Sequence, residues 1–245
     1  MKTIILAAGK GSRLHSEETH IPKVLRQVCG RPLISYVISA LPPQNDEDII
    51  LVVGFEKEKV MEAFPQYHHA IQDRQLGTGH AVNCTADILK DYKGEVLILC
   101  GDTPLIRRES IDAMVSYHRN NQNDCTLLSC HLPYDAALGR IMRDTEGHFT
   151  EIVENAECTP EQKKVHEYNA GIYIINSELL FPALSEVMKN SHKKEFYLTD
   201  VPELLLKQNL RVEAIPCKYP YEIYGVNTEE DLALAEKTLI DEKLI

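Results

Sequence analysis

Short apolar runs alternate along this chain with stretches in which apolar residues recur every three or four positions. The runs at 3–8 (TIILAA), 48–54 (DIILVVG), 70–73 (AIQD), 95–100 (EVLILC) and 125–132 (CTLLSCHL) predict strands. Leu33, Ile34, Val37, Ile38 and Leu41 share one helical face, and helices are expected over 56–64, 79–89 and 108–119. Strands that are apolar throughout, interleaved with helices, predict a layered α/β fold with a largely parallel sheet. The pattern changes after about residue 133. Residues 139–154 (GRIMRDTEGHFTEIVE) predict a hairpin turning near 144–147, followed by a strand at 168–176 and a helix at 177–189. A helix at 199–208, a strand at 211–216 and a final helix within 228–243 complete the expectation. Thr228 and Asp231 are spaced as a capping box for that last helix.

A length of 245 residues suits one such domain, and there is neither an internal repeat nor a low-complexity linker. The net charge of -11 argues against a nucleic-acid binder, which ordinarily shows a basic footprint. No apolar run approaches the roughly 18 residues of a spanning helix, so no membrane partner is expected. The seven cysteines form no CxxC pair and follow no signal peptide, which predicts reduced thiols in a cytoplasmic protein.

Candidate chemistry begins with LAAGKGSR at 6–13, where Gly9 and Gly11 interrupt a strand-like run beside Lys10, Ser12 and Arg13. It satisfies neither GxxxxGK[ST] nor GxGxxG. Closely spaced glycines still let backbone N–H groups approach an anion, although an ordinary strand-to-helix turn would read the same way. Two further stretches favour the anion site. QLGTGH at 75–80 is a second glycine-rich turn at a helix start, and CGDTP at 100–104 sets a carboxylate at the end of the strongest strand. Ligands of open α/β sheets bind at those strand ends.

LAAGKGSR, Pro22-Lys23, QLGTGHA, GDTPL, GRI, IVE, YNAGIY, EFYLTD and GVN occur in this order over roughly residues 3–235. In this the chain resembles the uridylyltransferase domain of bacterial N-acetylglucosamine-1-phosphate uridyltransferases, within the sugar-nucleotide pyrophosphorylases. The resemblance implies a Rossmann-like α/β nucleotidyltransferase fold, with a mixed, mostly parallel sheet flanked by helices. It implies a nucleotide-binding part at about 1–132, a sugar-binding part at about 133–227, and substrates UTP and a sugar 1-phosphate. Leu6, Ala7, Ala8, Gly9, Gly11, Gln72, Gly77 and Thr78 would contact the nucleotide, with Gln72 reading uracil. Arg13 and Lys23 would face the triphosphate, and Asp102 with Asn227 would hold Mg²⁺. Gly101, Gly139, Glu154, Asn169, Tyr197 and Thr199 would form the sugar pocket.

The chain also departs from the resemblance. Cys100 stands where relatives commonly carry an aromatic residue, and residues 14–22 form a longer loop. No hexapeptide repeat of an acetyltransferase β-helix occurs in these 245 residues, so the chain is read either as a single-function enzyme or as a piece of a longer bifunctional one. Other sugars or bases, a nucleotide-sensing module and an NAD-dependent dehydrogenase are the competing readings, the last disfavoured by the missing third glycine. His68-His69 predicts a solvated loop, Lys163-Lys164 and Lys193-Lys194 exposed faces, and Cys125 and Cys130 core thiols. The C-terminal helix is expected to pack on the domain, with self-association as its other role.

Overall fold

The computed structural model describes residues 1–190 and 195–244; the Lys193-Lys194 pair lies outside them. The first half contains β1 (Lys2–Ala7), α1 (Ser16–Thr19), β2 (Gln27–Val28), β3 (Arg31–Pro32), α2 (Leu33–Ser39), β4 (Ile49–Val53), α3 (Lys57–Ala63), β5 (His68–Ile71), α4 (Thr78–Asn83), α5 (Ala86–Leu89) and β6 (Glu95–Cys100). Then come α6 (Arg108–Asn120), β7 (Cys125–His131), β8 (Arg140–Arg143), β9 (Phe149–Val153), β10 (Glu167–Asn176), α7 (Ser177–Asn190), α8 (Asp200–Lys207), β11 (Val212–Pro216) and α9 (Glu229–Asp241).

Seven strands lie in the order β11-β7-β10-β6-β1-β4-β5, and the β8–β9 hairpin joins the same sheet through β10. The neighbours β6-β1, β1-β4, β4-β5 and β11-β7 are parallel, whereas β10 runs antiparallel to both β6 and β7. The mixed, mostly parallel α/β sheet expected from the sequence is therefore present. Its central strands are apolar on both sides because helices cover both faces. One face packs Ile4, Val52 and Ile98 against Val82, Leu184 and Val201 of α4, α7 and α8. The other packs Ile5, Leu51 and Leu99 against Val37, Val60 and Met114 of α2, α3 and α6. Cys125 and Cys130 are buried strand residues, as expected, and Lys163 and Lys164 are exposed. Helix α9 lays Ala235 and Leu239 on Leu14, Leu33 and Leu105, and its capping box is formed by Thr228 and Asp231. Packing on the domain is what this helix does.

Two expectations are corrected. Residues 79–89 form two short helices, because Thr85 is fully buried and its hydroxyl donates to Val82 O at 2.7 Å, closing the first helix there. His68-His69 is not a solvated loop but the start of β5, paired in register with Ile50 and Leu51. Main-chain pairing with β4 decides that edge, and burial lowers the His69 pKa.

Gly77 ties the turn before α4 to the segment at 195–198. Its φ of +101° suits only glycine, and a Cβ there would collide with the Phe196 carbonyl oxygen. Phe196 N–H donates to Leu76 O and Gly79 N–H to Phe196 O, both at 2.8 Å. Gly77→Ala is expected to destabilise the fold by about 1–3 kcal/mol, the usual range for a strained backbone residue. Thermal or urea unfolding checks this; an unchanged transition would contradict it.

Candidate active site

Strands β1, β4, β5 and β6 all point their carboxyl ends to one edge of the sheet, so the loops that follow them open side by side. The first of these loops holds Gly9, Lys10 and Gly11. Gly11 has φ +64°, and a Cβ there would lie 2.8 Å from both Lys23 Cβ and Ser16 Oγ. Glycine therefore lets the loop pass close over Lys23. Lys10 and Arg13 are exposed at this edge, with Lys10 3.8 Å from Glu17.

Lys23 is the centre of the constellation. Its side chain is 11% exposed, and Nζ donates to Asp102 Oδ2 and, at 2.8 Å, to Asn227 Oδ1. Main-chain bonds set both partners. Gly101 N–H donates to Leu6 O at 2.9 Å, fixing the end of β6 against β1, and Val226 N–H donates to Asp102 O at 2.9 Å. Asn227 Nδ2 donates to Gly225 O at 3.1 Å, which turns its oxygen toward the ammonium. The strap carrying Asn227 is stapled upstream by Glu222, a fully buried carboxylate. It accepts from Ser110 Oγ at 2.8 Å and from Arg107 N–H at 3.1 Å. Burial raises the Glu222 pKa.

The two oxygens on Lys23 converge tightly enough to serve one cation. Among the described residues no three His, Cys, Asp or Glu side chains cluster into a metal site. An ion held here would depend on Asp102, Asn227 and oxygens brought by a ligand. That donor set fits Mg²⁺, which favours hard oxygens and retains water and phosphate in its shell.

A cavity of about 700 Å³ opens beside this cluster and takes in Arg13, Asp102, Gly139, Glu154, Asn169 and Asn227. Asn169 Nδ2 donates to Tyr173 Oη at 2.7 Å, while its oxygen accepts from Gly171 N–H at 3.1 Å. Glu154 Oε1 accepts from Thr199 Oγ1 at 2.7 Å. The far wall is apolar, from Leu132, Ala136, Ala137, Leu138 and Ile223. Tyr134 and Tyr224 meet hydroxyl to hydroxyl at 2.5 Å along it. Cys100 also lines the cavity, and burial pushes its thiol up to about 12, so it is a neutral wall group.

Gln72, Gly77 and Thr78 sit at the neighbouring strand end, after β5. Gln72 is 3% exposed. Gln75 Nε2 bonds Ala8 O at 3.2 Å, tying this turn to the end of β1. Of the six residues expected at the sugar pocket, Gly139, Glu154 and Asn169 line this cavity, and Gly101, Tyr197 and Thr199 are not among the described residues that line it. Thr199, the residue just before α8, is buried and reaches the cavity only through its hydrogen bond to Glu154. Sequence reasoning missed Tyr134, Leu138, Tyr224 and Leu234, which line the cavity. LPYDAAL carries no phosphate or metal spacing, so only its apolar composition hinted at a wall.

The nucleotidyl transferase family model matches residues 2–219. The chain is 40% identical over 238 residues to the bifunctional protein GlmU of Clostridium novyi, covering 96% of this chain and 51% of that protein. It is 37% identical over 239 residues to the bifunctional protein GlmU of Geotalea daltonii, covering 96% and 52%. The chain thus spans about half the length of these curated relatives. Among solved structures, it superposes on UDP-glucose pyrophosphorylase complexed with UDP-glucose with a TM-score of 0.78, at 19% identity and 98% coverage of both chains. A putative glucose-1-phosphate thymidylyltransferase from Bacillus anthracis gives 0.75 at 21% identity, covering 96% and 95%. At such identities these two structures speak for the fold alone. With the family model spanning most of the chain, this protein belongs to the nucleotidyl transferase family.

Proposed function

We propose that this chain joins UTP and N-acetylglucosamine 1-phosphate to give UDP-N-acetylglucosamine and pyrophosphate. The observation that carries this reading is the convergence of Lys23, Asp102 and Asn227 beside a cavity walled by Gly139, Glu154 and Asn169. Both substrates are anionic, so the first task of the site is to let two phosphates approach. Lys23 and Arg13 supply positive charge at that edge. An oxygen of the sugar phosphate attacks the α-phosphorus in line, and the bond from that phosphorus to the β-phosphate's bridging oxygen breaks. The electron pair leaves with pyrophosphate. Positioning and charge stabilisation account for most catalysis of this kind, and no protein nucleophile is needed. Mg²⁺, held by Asp102 and Asn227, would neutralise phosphate charge when bound. Glu154 and Asn169 offer oxygen and N–H partners to sugar hydroxyls, and the apolar wall suits an acyl methyl group better than bare glucose.

Pyrophosphate release across UTP, dTTP and CTP, paired with N-acetylglucosamine, glucosamine and glucose 1-phosphates, tests the reading directly. Fastest turnover is expected for UTP with the N-acetylated sugar; no release with any pair would overturn it.

Asp102→Asn keeps an acceptor for Lys23 and removes the negative charge. It is expected to lower turnover about a hundred- to thousandfold, the scale of losing one electrostatic contact. Its melting temperature should stay close to that of the parent. Normal Mg²⁺-dependent turnover in this variant would remove Asp102 from the site.

Lys23→Ala is expected to cut kcat by a similar factor of about a hundred or more, while UTP binding measured by calorimetry changes far less. Preserved kcat with weakened binding would reduce Lys23 to a binding group.

A further inference from the structure

The side chain of Gln72 makes both of its hydrogen bonds through Nε2, to Gly77 O at 3.0 Å and to His80 Nδ1 at 3.1 Å. A carbonyl oxygen only accepts, so the amide group that faces Gly77 O is NH₂ and not oxygen. The second hydrogen of that NH₂ then points to His80 Nδ1, which accepts only as the bare nitrogen of a neutral imidazole. Burial lowers the pKa of this imidazole and so favours that state. No hydrogen bond among the described residues engages Gln72 Oε1, and this oxygen is not one of the fully buried atoms left without a partner, so in a residue only 3% exposed it is the amide atom still open to a ligand.

The two groups that grip the amide come from one helical turn. Gly77 precedes α4 and His80 lies within it. That turn is itself anchored, because Gly79 N–H donates to Phe196 O and Leu198 N–H donates to Thr78 Oγ1 at 3.0 Å.

We propose that His80 is a positioning residue for base selection, holding the Gln72 amide so that Oε1 is the atom offered to the base. The proposal rests on the reading that Gln72 contacts the base. Uracil presents a donor at N3–H, and cytosine presents a lone pair at N3. An amide locked with its oxygen outward accepts from uracil and repels the cytosine nitrogen. An amide free to turn over offers either its oxygen or its NH₂ and discriminates less.

The test compares kcat/KM for UTP and CTP in the parent, Gln72→Ala, His80→Phe, His80→Leu and His80→Asn, with calorimetric affinities and melting temperatures for each. Phe and Leu fill the space without an acceptor, and using both guards against one failing to fold. Asn can place its side-chain oxygen where Nδ1 was. The UTP to CTP ratio is expected to fall about tenfold in the Phe and Leu variants, the worth of one hydrogen bond. The loss should sit in KM and affinity and not in kcat. His80→Asn should restore the ratio to within about threefold of the parent, as its retained acceptor implies. An unchanged ratio in the Phe and Leu variants, while Gln72→Ala lowers it, would overturn the role of His80 alone. An equal loss in His80→Asn would reduce His80 to packing and overturn it as well. An unchanged ratio in Gln72→Ala would instead remove the base reading on which the proposal stands.

Discussion

An ammonium held 11% exposed needs compensating partners, and the geometry of this strand-end edge follows from how Lys23 obtains them. One partner, Asp102, ends β6; the other, Asn227, arrives from the far end of the chain. Meeting both requires the opening loop to cross Lys23 at a distance only Gly11 tolerates. It also requires the strap before α9 to be drawn onto the sheet edge, which Val226 and Glu222 accomplish through Asp102 O, Ser110 and Arg107. Arg26 adds a second tie, bonding Leu14 O at 2.9 Å and Glu229 at 2.5 Å. Helix α9 is therefore not a passive tail. Its first turn is fixed to the same loop that carries Lys23.

The apolar cavity wall depends on another buried cation. Arg140 is 0% exposed and bonds Asp135, Asn155 Oδ1 at 2.8 Å and Leu138 O at 3.2 Å, with its guanidinium 5.2 Å from the Tyr168 ring centre. Tyr168 Oη in turn donates to Tyr134 O and accepts from Ala136 N–H, each at 3.2 Å. A loop made of Tyr, Ala and Leu has little to hold it on its own. Its order comes from beneath, from one guanidinium and one phenol.

Much of the sheet was legible because β1, β4, β6 and β7 are dominated by short apolar runs, and the β8–β9 hairpin was legible from its turn residues. The division between α4 and α5 was not, since a single hydroxyl bond from Thr85 closes the first helix. The start of β5 was hidden because His68 and His69 join it through main-chain pairing with β4, which side-chain pattern does not record. Asp102 and Asn227 were each visible as polar residues where a strand or strap turns. Their meeting was not visible from spacing, because it is made by Val226 N–H on Asp102 O and by one shared lysine. Thr199, which the resemblance set at the pocket, stands just before α8 and gives its hydroxyl to Glu154 on the cavity wall.

The reversed direction of β10 explains why the strand-end edge around Lys23 and the cavity meet at all. Because β10 runs antiparallel between β6 and β7, its amino-terminal half lies at the same edge as their carboxyl ends. The register shifts between Asn169 and Tyr173, and Gly171 takes φ +72° inside that irregularity. A bulge of this kind re-aims the side chains around it. Here it sets the Asn169 amide against Tyr173 and Gly171 while leaving it on the cavity wall. A Cβ at Gly171 would stand 3.3 Å from Cys100 Sγ. A bulkier side chain at 100 would therefore press on the bulge that places Asn169. The small thiol at that position and the left-handed glycine beside it are two halves of one packing solution on the cavity wall next to Asp102.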